Sequence, residues 1–265
     1  MTAAAIAALV CGIVGGVLLI FAFVWLNNNL LLTTRRKIKY GGITTSVKIV
    51  HLSDLHGKTF GRRNRRLIAK VAAQQPDIIA FTGDAVHRYT EKNKRVALET
   101  VSALAQIAPV IYVSGNHEMR NKGYRFFRRD LMEAGATVLD NQVTEIAGLT
   151  IVGLNCASLK NGTIDRVTPQ CENMILLAHM PHFFESYVKA GYDLVLCGHA
   201  HGGQWRIPFT GIGVYAPGQG WFPKYTAGVH GSGKTKMIVS RGLGNSQCPL
   251  RIFNPPEIVT VTLEP

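Results

Sequence analysis

The sequence predicts an α/β domain preceded by one long apolar helix at the N-terminus. After residue 46, the chain first alternates short β-rich runs with segments in which apolar residues have helical spacing. Such alternation is typical of a layered α/β structure. The second half has more strands, and the first 34 residues carry no charged side chain. We therefore divide the chain into an N-terminal anchor (1–34), a basic juxtamembrane linker (35–46) and a folded domain (47–265).

The N-terminal segment is long and apolar enough to cross a bilayer. Residues 2–26 are uncharged, and a membrane span needs about 20 apolar residues. A buried core helix and a cleaved signal peptide are the alternatives. A signal peptide has positive charge before its apolar run and small residues at the end. This run lacks the charge and ends in residues 23–26, Phe-Val-Trp-Leu. We predict a single-pass transmembrane helix.

Basic residues set the predicted orientation of this helix. Arg35, Arg36, Lys37 and Lys39 follow it closely, and the positive-inside rule places such residues in the cytoplasm. The formal net charge of the whole chain is +13, which favours anionic lipid or a phosphorylated substrate as a partner. Because no nucleic-acid-binding motif accompanies this charge, we expect no specific nucleic acid partner. The catalytic domain is thus predicted on the cytoplasmic side of a bacterial cell membrane.

The elements of the folded domain follow from local patterns. Strands are predicted where short runs of β-branched and aliphatic residues occur, at 47–52, 77–81, 110–113, 137–139, 143–146, 150–154, 174–178, 194–197, 236–240 and 258–263. Helices are predicted where apolar residues recur at helical spacing, at 65–73, 91–107, 124–134 and 183–189. Gly and Pro crowd residues 202–233, which we interpret as long loops.

Polar side chains that can bind metal follow five of the predicted strands. They are Asp54 and His56, Asp84, Asn116 and His117, His179, and His199 and His201. Ligand sites of open α/β sheets collect at the carboxyl ends of strands, so we expect these side chains to converge. Residues two apart in an extended chain face the same side, which would aim each D-x-H or H-x-H pair at one centre. Carboxylate with imidazole suits Mn, Fe or Zn better than Ca or Mg.

The order of these blocks resembles the calcineurin-like metallophosphoesterase superfamily. The blocks read D-x-H, G-D, G-N-H-E, H and G-H-x-H, and the resemblance covers residues 47–264. It implies a four-layer α/β/β/α sandwich with two divalent metal ions, for which we expect Mn ahead of Fe or Zn. One ion would be held by Asp54, His56 and His201, the other by Asn116, His179 and His199, and both by Asp84. His117 would lie over the substrate phosphate as the catalytic residue.

The resemblance also implies an activity. Two metal ions would activate a hydroxide that hydrolyses a phosphodiester or pyrophosphate bond. The stretches HLSDLH and GHAHGGQ are similar to a bacterial branch of membrane-linked phosphoesterases, some of which act on UDP-2,3-diacylglucosamine, a lipid A precursor. We therefore expect a lipid-linked or envelope-precursor substrate at the membrane surface. A broad-specificity phosphodiesterase for soluble substrates and a non-catalytic, metal-stabilised interaction module are the alternatives.

Three further motifs have competing interpretations. Residues 58–66 form a basic run in which Arg62 and Arg63 are candidate substrate-binding residues, although a solvated helix start explains them as well. Residues 228–235 fit the phosphate-loop pattern G-x-x-x-x-G-K-[ST], but that motif needs a following helix. A strand follows here, so we predict a glycine-rich hairpin turn. Residues 126–129, Phe-Phe-Arg-Arg, together with Trp221 and Phe222 are candidates for a lipid-facing patch, with core packing as the alternative for the aromatic side chains.

Overall fold

A computed structural model describes residues 2–160, 164, 167–168, 171–246 and 248–265. Its strands are β1 (Leu32–Lys39), β2 (Val47–Leu52), β3 (Ile78–Phe81), β4 (Val110–Tyr112), β5 (Ala136–Val138), β6 (Gln142–Ile146), β7 (Leu149–Gly153), β8 (Met174–Leu177), β9 (Leu194–Cys197), β10 (Tyr215–Ala216), β11 (Gly220–Trp221), β12 (Gly228–Ser232), β13 (Thr235–Val239) and β14 (Glu257–Glu264). Its α-helices are α1 (Ala3–Asn29), α2 (Arg65–Ala72), α3 (Glu91–Ala105), α4 (Asn116–Met119), α5 (Tyr124–Glu133), α6 (Cys156–Lys160) and α7 (Phe184–Lys189). Every strand and helix predicted from the sequence overlaps one of these elements, so those predictions are confirmed.

Two six-stranded sheets form the middle of the domain. The first has the order β1-β14-β2-β3-β4-β5, and the second has the order β12-β13-β9-β8-β7-β6. Strands β2 to β5 run parallel to one another, as do β7, β8, β9 and β13. The carboxyl ends of the parallel strands in each sheet therefore lie along one edge, where ligand sites are expected.

Three hydrophobic clusters separate four layers of structure. The cluster between the sheets contains Ile49 of β2 and Ile175 of β8. Helices α2, α3 and α5 pack on the outer face of the first sheet, where Val50 of β2 lies. Helices α6 and α7 cover the outer face of the second sheet. Consecutive strand residues face opposite layers, so β2 carries apolar residues on both faces, with Ile49 towards the second sheet and Val50 towards the helices.

The linker predicted at residues 35–46 is wrong for its first part. Residues 35–39 belong to β1, which pairs in parallel with β14 from Leu32 opposite Glu257 to Lys39 opposite Glu264. Within this edge strand Ile38 is buried, whereas the basic residues at 35–37 are exposed. Charged side chains are a common feature of sheet edges because they discourage pairing with other chains. The basic run that resembled a linker is therefore an edge strand, and the folded domain begins before residue 47.

Residues 202–233 are less irregular than predicted. Strands β10 and β11 form a small antiparallel pair, and β12 pairs in antiparallel fashion with β13. Gly233 lies in the β12–β13 turn with φ 54°, a conformation that glycine adopts at little cost. This hairpin confirms the prediction for residues 228–235 and excludes phosphate-loop geometry there.

Helix α1 projects from the domain and is attached to it at its C-terminal end. None of its most apolar 18-residue window is buried in the chain, so the buried core helix considered above is wrong. By length and composition, α1 fits a membrane span or a signal sequence. The side chain of Asn27 accepts a hydrogen bond from the backbone N–H of Asn254 at 3.1 Å. The side chain of Asn28 accepts one from the N–H of Arg251 at 3.2 Å. The helix end is therefore bound to the segment before β14.

Candidate metal centre

The structure brings the predicted site residues together at the carboxyl ends of five strands. They follow β2 (Asp54 and His56), β3 (Asp84), β4 (Asn116 and His117), β8 (His179) and β9 (His199 and His201). Strands β2, β3 and β4 are neighbours in the first sheet, and β8 and β9 are neighbours in the second. This strand order explains why residues far apart in the sequence meet at one place. All of them are buried except His117, which is partly exposed.

The prediction that strand alternation directs these paired side chains to one point is wrong. Asp54 and His56 have φ 53° and 52°, and His199 and His201 have φ 66° and 48°. These left-handed conformations are not extended, and they cost about 1–3 kcal/mol each when the surroundings impose them. Backbone hydrogen bonds hold the loop, because the N–H of His56 donates to the carbonyl of Asp84 at 3.0 Å. Tight turns, rather than strand alternation, therefore direct the paired side chains to one point.

Three side chains form the first candidate ligand group. Asp54, His56 and His201 offer ligand atoms that lie close to one another. Nε2 of His56 lies 3.2 Å from Nε2 of His201, and Nε2 of His201 lies 3.4 Å from Oδ1 of Asp54. Two atoms bound to one ion at about 2.1 Å lie roughly 3 to 3.4 Å apart. The spacing therefore suits a single divalent ion.

A second ligand group lies beside the first. It contains Asp84, His179 and His199. Nε2 of His179 lies 3.1 Å from Oδ2 of Asp84 and 3.1 Å from Nδ1 of His199. Asn116 lines the same pocket as Asp84 and His199, so its amide oxygen is available to complete this group.

Asp84 lies between the two groups. Its Oδ2 is 3.1 Å from Nε2 of His179 in the second group and 3.8 Å from Nε2 of His56 in the first. Its Oδ1 accepts a hydrogen bond from the backbone N–H of His117 at 2.9 Å. One carboxylate oxygen is thus oriented by the backbone while the other faces both groups, which is the arrangement that a bridging ligand requires.

The donor atoms also meet a chemical test for metal binding. Among the described residues, Oδ1 of Asp54 and Oδ1 of Asn116 are buried without a hydrogen-bond partner. An unsatisfied buried acceptor costs about 1–3 kcal/mol, and a cation in each ligand group would satisfy the unpaired oxygen of that group. Carboxylate and amide oxygens combined with imidazole nitrogens suit Mn, Fe and Zn. The residues therefore fit two divalent ions, and the donor set does not distinguish among these three metals.

Backbone carbonyls orient two of the imidazoles. Nδ1 of His179 donates to the carbonyl of Thr82 at 2.6 Å, which leaves Nε2 for ligation. Nδ1 of His117 donates to the carbonyl of His87 at 3.0 Å. Nε2 of His117 lies 4.0 Å from Oδ2 of Asp84. His117 therefore points its free nitrogen at the bridging position. It belongs to neither of the two groups above, although its ligand atom lies close to those of His56 and His87.

Burial sets the protonation of the ligands. It lowers the pKa of His201 to about 3, with a further contribution from Arg251, and it also lowers the pKa of His56 and His199. These imidazoles are neutral, as ligation requires. Burial would lower the pKa of His179 too, but the Asp84 and Asp54 carboxylates outweigh it and raise that pKa to about 10. Without an ion, His179 therefore carries a proton that must leave when a metal binds.

Glu118 connects two loops of the site, a role that the sequence reasoning missed. Its buried carboxylate accepts hydrogen bonds from the backbone N–H groups of Asp84 and Gly115, both at 2.8 Å. It also accepts one from the hydroxyl of Tyr112 at 3.0 Å. The bond to Gly115 is half of a capping box, which places Glu three residues after the helix N-cap. The sequence signal for this role was the Glu that ends the G-N-H-E block.

Arg251 and Asn254 support the site from the segment before β14. The guanidinium of Arg251 is fully buried and donates to the carbonyl of Gly244 at 3.2 Å. The N–H of Gly244 in turn donates to the carbonyl of Asp54 at 2.6 Å. The side chain of Asn254 donates to the carbonyl of His201 at 2.7 Å. Nothing in the sequence indicated these roles, because the contacts join irregular loops.

The two arginines predicted to bind substrate do not lie at this centre. A pocket of about 190 Å³ opens in front of the ligand groups, and its lining includes His117 and Arg120 but neither Arg62 nor Arg63. Arg63 instead lines a groove beside α3, together with Arg95. The turn that contains Arg62 and Arg63 leads into α2, on the outer face of the first sheet. Arg120, which follows α4, is the arginine that lines this pocket instead.

Comparisons with known proteins agree with this geometry. The sequence profile of the calcineurin-like phosphoesterase family matches residues 47–203. The chain is 33% identical over 229 residues to the phosphodiesterase YaeI of Escherichia coli strain K12, covering 82% of each protein. It is 29% identical over 255 residues to the uncharacterized metallophosphoesterase YkuE of Bacillus subtilis strain 168, covering 91% of this chain and 88% of the relative.

A solved structure shares the fold at low sequence identity. The sulfate thiohydrolase SoxB of Thermus thermophilus superposes with a TM-score of 0.50 at 12% identity, covering 85% of this chain and 57% of that protein. Calcineurin-like phosphoesterases use a binuclear divalent metal centre, which the two ligand groups around Asp84 could form. The chain therefore belongs to the calcineurin-like phosphoesterase family and is a metallophosphoesterase, a hydrolase of phosphate esters.

Proposed function

We propose that this chain is a membrane-anchored, two-metal phosphodiesterase that acts at the membrane surface on a lipid-linked or envelope-precursor substrate. The observation that carries the proposal is the position of Asp84, whose Oδ2 faces one ligand group at 3.1 Å and the other at 3.8 Å. The pocket in front of it is lined by His117 and Arg120. A phosphate group in that pocket would meet both metal positions and two basic side chains at once.

The ligands follow the two groups seen in the structure. One ion would be held by Asp54, His56 and His201, the other by Asn116, His179 and His199, and both by Asp84. When bound, a pair of divalent cations supplies Lewis-acid activation of water and neutralises charge on the phosphoryl oxygens. Mn is the metal we expect first, with Fe or Zn as alternatives.

His117 and Arg120 would act directly on the substrate. His117 is held by its Nδ1 donor bond to His87, so in the imidazolium form its Nε2–H can donate to a phosphoryl oxygen or give its proton to the leaving oxygen. The guanidinium of Arg120 offers a fixed positive charge and paired donors for a phosphate. Both contributions are larger in the transition state, where negative charge on the transferred group increases.

Helix α1 is proposed to be a retained anchor in a bacterial cell membrane. Its 27 residues rise about 40 Å as a helix, which exceeds a hydrocarbon core of about 30 Å. A signal sequence would be lost, yet Asn27 and Asn28 accept hydrogen bonds from the backbone N–H groups of residues 254 and 251, respectively. These contacts favour retention, and the basic residues 35–39 favour a cytoplasmic catalytic domain.

The substrate class is inferred from chemistry and from similarity. The Escherichia coli relative is named a phosphodiesterase, which favours a diester over a phosphoanhydride. Hydrolysis of UDP-2,3-diacylglucosamine, expected from the resemblance, stays a prediction. A broad phosphodiesterase for soluble substrates is the alternative that assays must separate. The full set of ligand residues argues against a non-catalytic interaction module.

Hydrolysis of bis-p-nitrophenyl phosphate tests the activity. The full chain, stripped with a chelator in mild detergent, should be inactive and should regain activity with Mn, Fe(II) or Zn. His117→Ala should lower kcat by about 10²- to 10⁴-fold, because a general acid or charge-stabilising group is lost. Phe126→Ala, an exposed α5 residue, is the control. Failure of every metal to restore activity, or full activity in His117→Ala, would contradict the proposal.

The membrane arm of the proposal has its own test. Turnover of a lipid phosphodiester and a lipid pyrophosphate is compared for the reconstituted full chain in neutral and in anionic vesicles. The basic surface of the chain predicts a gain with anionic lipid, because each basic residue near such a surface contributes about 1 kcal/mol of attraction. Equal turnover in both vesicles, together with efficient hydrolysis of soluble diesters, would favour the alternative.

A further inference from the structure

A second pocket adjoins the metal centre and differs from it in chemistry. Its volume is about 220 Å³, and its walls include Trp205, Val214 and Trp221. It shares Pro217 and Ser246 with the pocket in front of the ligand groups. No charged side chain lines it among the described residues. The two pockets are therefore adjacent compartments, one polar and one apolar, at the same mouth.

The loop around this apolar pocket exposes large hydrophobic side chains. Trp221 is 70% exposed, Phe222 is 65% exposed and Phe209 is fully exposed, and Ile207 and Ile212 of the same loop are also exposed. A concentration of exposed large apolar side chains in one short segment is unusual on a soluble monomer and points to contact with a partner or a membrane. We call residues 205–222 the apolar rim.

The apolar rim is linked to the anchor helix. The ring of Phe23 in α1 packs edge to face on the ring of Phe253 with centroids 5.0 Å apart. The indole N–H of Trp205 donates to the carbonyl of Leu250 at 3.2 Å. Leu250 and Phe253 are themselves exposed. These contacts link the end of helix α1 to the pocket wall through residues 250–253, so the rim lies on the side of the domain to which α1 is attached.

We propose that the apolar pocket binds a hydrocarbon chain of a membrane lipid whose phosphodiester lies at the metal centre. The inference rests on the proposed function and adds the subsite that selects the substrate. A nucleobase is a poorer occupant than a hydrocarbon chain. The rings of Tyr215 and Trp221 pack edge to face with their centroids 5.6 Å apart, so they do not present two parallel faces between which a base could stack. The uncharged lining excludes a second phosphate as the favoured occupant.

Chain-length dependence tests the subsite. The full chain in lipid nanodiscs, loaded with Mn, is assayed with p-nitrophenyl alkyl phosphodiesters carrying methyl, butyl or octyl groups, each below its micelle concentration. Each methylene that enters the pocket should raise kcat/KM by up to about fourfold. The gain should be mainly in KM, because the chain is bound equally in ground and transition states.

Two variants remove the pocket in opposite ways. Trp221→Ala opens its wall, and Val214→Phe fills it. Both should reduce the octyl-to-methyl ratio of kcat/KM by tenfold or more, by loss of a few buried methylenes. The octyl ester partitions into the nanodisc to the same extent for the wild type and for every variant. A difference between proteins in the octyl-to-methyl ratio of kcat/KM therefore reports on the pocket alone. Phe126→Ala, which removes an exposed aromatic side chain from α5, should keep the wild-type ratio.

The outcomes separate this inference from the proposed function. An octyl-to-methyl ratio that is equal in the wild type and in both pocket variants overturns the subsite and leaves the phosphodiesterase intact. Preference for a p-nitrophenyl nucleoside diester over the octyl ester, lost in Trp221→Ala, also overturns it, because the pocket would then hold a base. Absence of hydrolysis for every diester contradicts the proposed function, and the subsite with it.

Discussion

The metal centre and the apolar rim beside it are built in opposite ways. The centre is formed by buried residues at the ends of parallel strands, with backbone groups holding Asp84 and His179. The rim consists of irregular chain and two-residue strands, and exposes Trp221 and Phe222. Catalytic groups need fixed positions, whereas a surface that meets lipid needs apolar area and tolerates variation. Under the two proposals above, the centre would determine which bond is cut and the rim which substrate is bound.

The largest expected effect comes from the carboxylate between the two ligand groups. Asp84→Asn keeps the shape but loses the negative charge that faces both groups, so kcat for bis-p-nitrophenyl phosphate should fall by about 10³-fold or more. Metal content per chain, measured by elemental analysis, should fall with it. Asp130→Asn on α5, which loses only a partly exposed ion pair with Arg129, is the control. Wild-type activity in Asp84→Asn would remove the basis for a shared ligand.

Glu118 tests whether the loops of the centre depend on their support. Glu118→Gln replaces an acceptor oxygen with an amide that faces the N–H donors of Asp84 and Gly115. Activity and metal affinity should fall by about 10- to 100-fold, as for other residues that orient ligands. Restoration of kcat by excess metal would show that positioning is the defect. Glu133→Gln, exposed on α5, should change neither quantity.

Metal affinity should depend on pH through His179. The pKa of His179 is raised to about 10 in the ion-free protein, and only the deprotonated imidazole binds a metal. Lowering pH below 10 therefore weakens Mn binding, by about tenfold per unit for one displaced proton. Calorimetry in two buffers of different ionisation enthalpy measures the protons released. An affinity that is constant between pH 6 and 8 would contradict this protonation state.

Protonation of His179 weakens metal binding but stabilises the folded state of the ion-free protein. A pKa raised in the folded state above the ordinary 6.5 stabilises the folded protein most below pH 6.5. This contribution is lost as pH rises towards 10, so ion-free protein should lose stability over that window. Metal-loaded protein should not show this loss, because the ion replaces the proton. Thermal unfolding of the two forms across this pH range makes the comparison.

A substitution at the junction between helix α1 and the segment before β14 should have the smallest effect. The side chain of Asn28 accepts hydrogen bonds from Arg251 N–H and from Asn245. Asn28→Ala should lower the free energy of unfolding by about 1 to 2 kcal/mol. This corresponds to a decrease in Tm of roughly 2 to 8 °C. Asn29→Ala is a matched control, because the side chain of Asn29 bonds only to Trp25 within the helix. Equal Tm values for both variants would mean that the junction is not stabilising.

Sequence patterns predicted the centre better than its surroundings, for physical reasons. Buried parallel strands are continuous apolar runs, and the polar residues that end them stand out against those runs. Strand β1 was missed because four of its eight residues are exposed and basic. The left-handed turns at Asp54 and His199 were missed because non-glycine residues give no local signal for positive φ. The contacts of Arg251 join loops that only tertiary packing brings together.

Electron paramagnetic resonance of the Mn-loaded full chain tests the central claim that Asp84 joins two metal positions. The account predicts two Mn ions per chain and a spectrum of an exchange-coupled pair, with the coupling weakened or lost in Asp84→Asn. A single bound ion, or two ions with independent spectra in the wild type, would contradict it.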